Sequence, residues 1–140
     1  MVIGSSEKVL TSQLDEARKV CALVVDDDPT VRRIHGMLLT RHGWEIEVAE
    51  NGKEVVDLFL AGKSFDLVLI DLEMPVMDGL KATKELRAMG VNSMIVGVTA
   101  CKVEAKKEAF MGAGLDYCWE KPLNGGAVVS MLDELAKKLL

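Results

Sequence analysis

Carboxylates stand directly after two apolar runs of this sequence. Asp26, Asp27 and Asp28 follow the run at residues 23–25, and Asp71 follows the run at 67–70. Carboxylates a few ångströms apart raise one another's pKa or recruit a cation. Magnesium prefers oxygen ligands and needs only one or two carboxylates when water and phosphate oxygens complete its shell. The spacing therefore predicts a Mg²⁺ site, provided that the fold brings the two groups together.

Two further polar residues end later apolar stretches. Thr99 follows residues 93–98, and Lys121 follows residues 116–120. A lysine offers a point charge and three donors to a phosphoryl oxygen, and a threonine offers one hydroxyl donor. A carboxylate can accept a phosphoryl group, and neutralising the charge on that group is most of the catalysis. These residue types predict phosphoryl transfer to an aspartate.

The secondary structure predicted between these residues indicates how the fold brings them together. From residue 20 onward, short apolar runs alternate with amphipathic stretches, as in parallel strands joined by crossover helices. The predicted strands are 20–25, 44–49, 65–70, 93–98 and 116–120, and the predicted helices are 29–41, 52–61, 79–89, 103–113 and 126–140. We predict an α/β fold with a doubly wound, five-stranded parallel sheet. Ligands bind at the carboxyl ends of such strands, where all these polar residues stand.

Length and charge restrict the remaining possibilities. The 140 residues, 49% of them hydrophobic, fit one domain at 20–140 behind a polar extension at 1–19 that ends in a short helical stretch. A net charge of −5 without a dense basic face argues against nucleic-acid binding. No apolar stretch approaches the roughly 20 residues of a membrane span, so we expect a soluble intracellular chain without a membrane partner. The three cysteines have no metal-ligand spacing.

Four motifs, in order, resemble the receiver domains of two-component response regulators. They are Leu23-Val24-Val25-Asp26-Asp27-Asp28-Pro29, Asp71-Leu72-Glu73-Met74-Pro75-Val76-Met77-Asp78-Gly79, Val98-Thr99-Ala100 and Lys121-Pro122. The resemblance implies a flavodoxin-like receiver fold with strand order 2-1-3-4-5. It also implies a phosphohistidine donor, either a histidine phosphotransfer protein or a histidine kinase, with Mg²⁺ as cofactor.

The same resemblance assigns a role to each site residue. It implies that Asp71 is the phosphoacceptor, that Thr99 is the switch hydroxyl and that Lys121 contacts the phosphate. It further implies that the metal ligands are Asp26, Asp27, Asp71 and the backbone carbonyl of Glu73. Of Asp26 and Asp27, one can bind the metal through a water molecule.

Finer features, including Cys118-Trp119-Glu120-Lys121-Pro122-Leu123, are similar to the plant type-C response regulators. This implies a monomeric, stand-alone receiver in the cytoplasm or also the nucleus, working in a phosphorelay such as cytokinin signalling. Such a receiver is a phosphate sink or a signalling switch, and its catalysis would be limited to its own phosphorylation and dephosphorylation and to discharge of its donor. Cys118 occupies a position that is usually aromatic in chemotaxis-type receivers, and Tyr117 is one residue away and so faces the opposite side of the strand.

Two other functions fit parts of the sequence. Residues 26–31 also match the nucleophile motif of haloacid-dehalogenase-like phosphatases, in which Asp26 is the nucleophile and Asp28 the general acid. That family needs a later metal-binding Asp pair, which we do not find. A protein-binding module with an inactive acidic pocket is the third possibility. Asp28 before Pro29 is equally well placed to cap the first helix.

Overall fold

The computed structural model describes residues 19–139, in which five parallel strands alternate with five helices. The strands are β1 (Cys21–Val25), β2 (Glu45–Ala49), β3 (Leu67–Asp71), β4 (Met94–Thr99) and β5 (Tyr117–Glu120). The helices are α1 (Pro29–Thr40), α2 (Gly52–Leu60), α3 (Gly79–Ala88), α4 (Glu104–Gly112) and α5 (Gly125–Leu139). The strand order is β2-β1-β3-β4-β5, which confirms the predicted fold. The helical stretch expected before residue 19 lies outside the described residues.

The sheet separates two apolar layers because alternate strand residues face opposite sides. One layer packs Ala22, Val24, Leu67, Leu69, Met94, Val96 and Val98 against residues of α1 and α5. The other packs Leu23, Val25, Val68, Ile70 and Ile95 against residues of α2, α3 and α4. Both faces of the three central strands are therefore buried, as their continuous apolar runs predicted.

Most strand ends differ from the prediction by one residue, and the third strand differs at both ends. The third strand was expected to begin at Phe65, but it begins at Leu67. The Asp66 carboxylate accepts the N–H of Cys21 at 2.9 Å, while the main chain of Asp66 still bonds to Cys21 and Met94 on the two sides. At the other end, Asp71 is the last residue of β3 because it pairs in register with Val98. The sheet itself thus fixes the backbone of Asp71.

The first three helices begin at the edge of the sheet where the polar residues lie, and each of these three has a side-chain cap. Asp28 accepts the N–H of Thr30 at 2.9 Å and caps α1, with Pro29 as the first helical residue. Asn51 caps α2, and Asp78 caps α3 by accepting the N–H of Lys81 at 2.8 Å. Asp28 and Asp78 therefore act as caps.

The start of α3 lies against the backbone of Asp71. The N–H of Gly79 donates to the carbonyl of Leu72 at 2.8 Å, and a Cβ atom on Gly79 would overlap the carbonyl oxygen of Asp71. The approach is possible only for a residue without a side chain. Gly79 thus lets α3 pack directly behind the strand end that carries Asp71.

Gly79→Ala should destabilise the domain by about 1–3 kcal/mol, because the overlap is with backbone atoms that cannot move aside cheaply. Gly112→Ala is the matched control, since Gly112 ends α4 with nothing within 4 Å of its added Cβ. It should be neutral or stabilising by up to about 1 kcal/mol. Urea unfolding measures both, and equal stabilities of the two variants would contradict the close approach.

Candidate functional site

Three carboxylates meet at the carboxyl edge of the sheet. Asp26 follows β1, Asp27 is the next residue, and Asp71 ends β3. One carboxylate oxygen from each lies within 4.8 Å of the others, and no other group of three or more His, Cys, Asp or Glu side chains in residues 19–139 is arranged in this way. Asp26 and Asp71 are 1% and 6% exposed, whereas Asp27 is exposed. The cluster therefore has two buried members and one that faces solvent.

Lys121 reaches this cluster from the end of β5. Its Nζ lies 2.7 Å from Asp26 Oδ2 and 3.2 Å from Asp71 Oδ2. The N–H of Lys121 donates to the carbonyl of Thr99 at 3.0 Å, which extends the pairing of β4 and β5 by one residue. The ammonium is thus placed across β4 and bonds to both buried carboxylates.

Electrostatics at the site favour proton uptake by Asp71. Burial and, next, the charge of Asp26 raise the pKa of Asp71 to about 6, although Lys121 and the N–H of Leu72 work in the opposite direction. Burial works to lower the pKa of Lys121, but its hydrogen bonds and charge interactions with Asp26 and Asp71 outweigh that effect and raise it. The ammonium therefore stays charged, while one buried carboxylate remains poorly compensated.

The donor set fits a divalent cation. Three carboxylates face one ammonium, so the cluster carries two negative charges in excess when all three are ionised. All three offer oxygen ligands, which Mg²⁺ prefers, and the exposed Asp27 leaves a side open to water and phosphate oxygens. A divalent cation would balance the excess charge and lower the pKa of Asp71, against the effects of burial and of Asp26 that raise it.

Thr99 is buried at the end of β4, one register position beyond the partner of Asp71. Its hydroxyl oxygen accepts the N–H of Cys101 at 3.0 Å. That bond uses only the oxygen as acceptor, so the hydroxyl hydrogen remains available to donate to a bound anion.

Glu73 is the predicted site residue whose side chain does not join the cluster. It is exposed, two residues beyond Asp71, and its carboxylate is not among the three that converge. The predicted ligand at this position is the backbone carbonyl, and that assignment stays a prediction.

Sequence reasoning missed two residues of α1 that bear on the site. Arg32 donates from Nη1 to the main-chain carbonyl of Asp26 at 2.6 Å. His35 is buried, and desolvation lowers the pKa of its imidazole despite the opposing charge of Asp26. Both stand at helical spacing after the cap Asp28, which is the one signal in the sequence that would have pointed to them.

Residues 117 and 118 face opposite sides of β5, as their spacing predicted. Cys118 packs with the apolar layer of α2, α3 and α4, where burial raises the pKa of its thiol. The Tyr117 hydroxyl hydrogen-bonds Glu134 of α5, and this bond raises the pKa of Tyr117. Tyr117 therefore does not take the place of the aromatic residue that Cys118 replaces.

Comparison with known proteins shows the family. The sequence pattern of the family described as "Response regulator receiver domain" matches residues 22–133. The chain belongs to this receiver-domain family. It is 47% identical to two-component response regulator 24 of Arabidopsis thaliana over 117 residues, which are 84% of each chain. It is 44% identical to the Arabidopsis response regulator ARR22 over 135 residues, 94% of each. These relatives confirm the resemblance to plant type-C response regulators.

Solved structures show the same architecture. The receiver domain of a Francisella response regulator matches with a TM-score of 0.77 at 25% identity, covering 87% of this chain and all of that one. The receiver domain of Saccharomyces cerevisiae Ssk1, solved with the histidine phosphotransfer protein Ypd1, matches with a TM-score of 0.78 at 25% identity, covering 86% and 91%.

One alternative function from the sequence, and the expected absence of a membrane span, can now be compared with these findings. The family match replaces the haloacid-dehalogenase alternative, whose general acid, Asp28, caps α1 instead. None of the helices in the described part of the chain has the length and apolar character of a membrane span.

The raised pKa of Asp71 predicts how stability depends on pH. Between its ordinary value of 3.8 and about 6, the folded state holds a proton that the unfolded state has lost, so stability falls as the pH rises through this window. Asp71→Asn removes this loss and should be more stable than wild type by about 1–3 kcal/mol at pH 7 without divalent cations. Urea unfolding from pH 4 to 7 should show the difference opening with pH. A constant difference would contradict the raised pKa.

Proposed function

We propose that this receiver domain accepts a phosphoryl group on Asp71 from a phosphohistidine of a histidine phosphotransfer protein or histidine kinase, with Mg²⁺ as cofactor. The observation that carries the proposal is the convergence of Asp71 with Asp26, Asp27 and Lys121 at one edge of the sheet. The Ssk1 receiver, whose fold this chain shares, was solved bound to a phosphotransfer protein, which supports this class of donor.

The transfer step is a displacement at phosphorus. A carboxylate oxygen of Asp71 forms the new P–O bond, the P–N bond of the phosphohistidine breaks, and its electron pair returns to the imidazole ring of the donor. The product on this chain is an acyl phosphate. Asp71 must be ionised to attack, so a cation that removes its proton also prepares the nucleophile.

The chain's own groups neutralise the charge of the phosphoryl oxygens. Lys121 already lies 3.2 Å from Asp71 Oδ2 and can donate to a phosphoryl oxygen while it keeps its shorter bond to Asp26. The Thr99 hydroxyl hydrogen supplies a second donor. Bound Mg²⁺, held by Asp26, Asp27, Asp71 and the carbonyl of Glu73, would supply further positive charge to the same oxygens.

We propose further that the acyl phosphate is short-lived, so that the chain acts as a phosphate sink. Glu73 stands two residues beyond Asp71, and its exposed carboxylate is free of the acidic cluster. A carboxylate at that place can orient a water molecule toward the phosphorus. Cys101, two residues beyond Thr99, is only partly exposed, and its small side chain would leave room for such a water. A long-lived phosphate would instead fit a switch that binds a partner.

Phosphotransfer from a radiolabelled histidine phosphotransfer protein tests the acceptor. Wild type with Mg²⁺ should discharge the donor, and Asp71→Asn should leave it charged, because an amide cannot form the acyl phosphate. Lys121→Ala should slow transfer by about 10²–10³-fold. It should retain or increase Mg²⁺ affinity, because removal of a positive charge strengthens the attraction of the carboxylates for a cation.

Phosphotransfer to the wild type and to the two variants distinguishes the possible roles of these residues. Donor discharge by Asp71→Asn would overturn the acceptor assignment, and full-speed transfer by Lys121→Ala would make the lysine a bystander. Failure of the wild type to accept phosphate from any histidine donor or from acetyl phosphate would instead favour a protein-binding module.

The sink is tested by following inorganic phosphate in the same reaction. Release should be complete within minutes, with little labelled chain accumulating. Glu73→Gln keeps the backbone carbonyl but loses the carboxylate, so it should slow release by about tenfold or more while donor discharge is unchanged. Long-lived labelling of the wild type would contradict the sink and favour a switch.

A further inference from the structure

Arg32 is a partly buried arginine that reaches the loop carrying the acidic cluster. Its Nη1 donates to the main-chain carbonyl of Asp26 at 2.6 Å, and its side chain is only 15% exposed. Its Nη2 lies 3.8 Å from Glu50 Oε1, so the guanidinium is held between the loop after β1 and the loop after β2. The neighbouring Arg33 is exposed and has no such bond among those described.

The carbonyl that Arg32 binds belongs to the peptide group between Asp26 and Asp27. Rotation of this peptide plane would move the two carboxylates relative to each other. Asp26 is already restrained on either side of that plane, because its N–H donates to Ala49 at 3.2 Å and its Oδ1 accepts the N–H of Asp28 at 3.0 Å. The carbonyl is held by Arg32 alone among the side-chain contacts described for this peptide.

Arg32 could act on a bound cation in two ways, and removal of Arg32 would change the cation affinity in opposite directions in the two cases. As a positive charge near the cluster, the guanidinium repels a cation, so its removal would strengthen cation binding. As a clamp on the peptide plane, it fixes the ligand geometry, so its removal would weaken binding. Mg²⁺ demands nearly ideal octahedral geometry, whereas Ca²⁺ accepts irregular sites, so a loss of geometry affects Mg²⁺ more.

We propose that Arg32 is a positioning residue for the Mg²⁺ site: by clamping the Asp26–Asp27 peptide, it sets the affinity of the site and its selectivity for Mg²⁺ over Ca²⁺. The inference rests on the proposed metal site. Arg32 touches neither the cation nor the phosphoryl group, and it acts only through the two aspartates.

Calorimetric titration of the full chain with MgCl₂ and, separately, with CaCl₂ tests the clamp. Arg32→Ala should weaken Mg²⁺ binding by about tenfold or more, as loss of an outer-shell partner does. Ca²⁺ binding should weaken less. Arg32→Lys retains one donor but not the planar fork, so it should recover part of the affinity. Arg33→Ala makes the same change of charge one residue away and should alter Mg²⁺ affinity by less than about twofold.

Each outcome decides the role of Arg32. Circular dichroism at the titration temperature identifies the variants that are folded, and Arg32→Lys carries the test if Arg32→Ala does not fold. Unchanged or tighter Mg²⁺ binding in the folded Arg32 variants would overturn the clamp and leave the metal site intact. Equal losses for Mg²⁺ and Ca²⁺ would also overturn it, because they indicate general damage. A wild type that binds no Mg²⁺ would overturn the proposed metal site and the clamp together.

Discussion

The register of β1 and β3 places two buried carboxylates side by side. Val25 pairs with Ile70, so an aspartate follows each of them in the chain, and the main chain at these two positions cannot move apart without breaking the central pairing of the sheet. Burial of like charges is unfavourable unless a counter-charge is supplied. Lys121 supplies one such charge, and the negative charge that Lys121 leaves uncompensated determines how the pocket binds protons and cations.

Protons and cations compete for that uncompensated charge. A proton on Asp71 relieves the repulsion but removes the nucleophile, whereas a divalent cation relieves it and keeps the carboxylate ionised. Under the proposed function, the cost of assembling the pocket would be recovered when a cation binds, and the same event would prepare Asp71 to react. Asp27 matters for a different reason, since its exposed position gives a cation access to a site whose other two carboxylates are buried.

The sequence predicts the parts of this arrangement that follow from local pattern. Continuous apolar runs predicted the buried strands, and the acids that follow them predicted the cluster, because parallel strands end at one edge. Helical spacing could have indicated the face of α1 on which Arg32 lies, but not its bond to the Asp26 carbonyl, because a side chain's direction across a loop depends on how α1 packs. The same is true of Gly79, whose need for a bare Cα depends on the approach of α3 to Asp71. The spacing of residues in the sequence predicts which side chains lie at the carboxyl edge of the sheet. The packing of the helices determines which contacts hold those side chains in place.

The pocket also contains a physical reason why Asp71, rather than Asp26, should be the acceptor. Asp26 accepts the N–H of Asp28 on Oδ1 and the shorter Lys121 bond, 2.7 Å against 3.2 Å, on Oδ2. Its carboxylate is thus restrained at both oxygens and shares more of the ammonium charge. Asp71 holds the longer of the two lysine bonds, so less of its charge is balanced by the ammonium. A less compensated carboxylate is the better nucleophile, and the better-compensated Asp26 is the better permanent ligand.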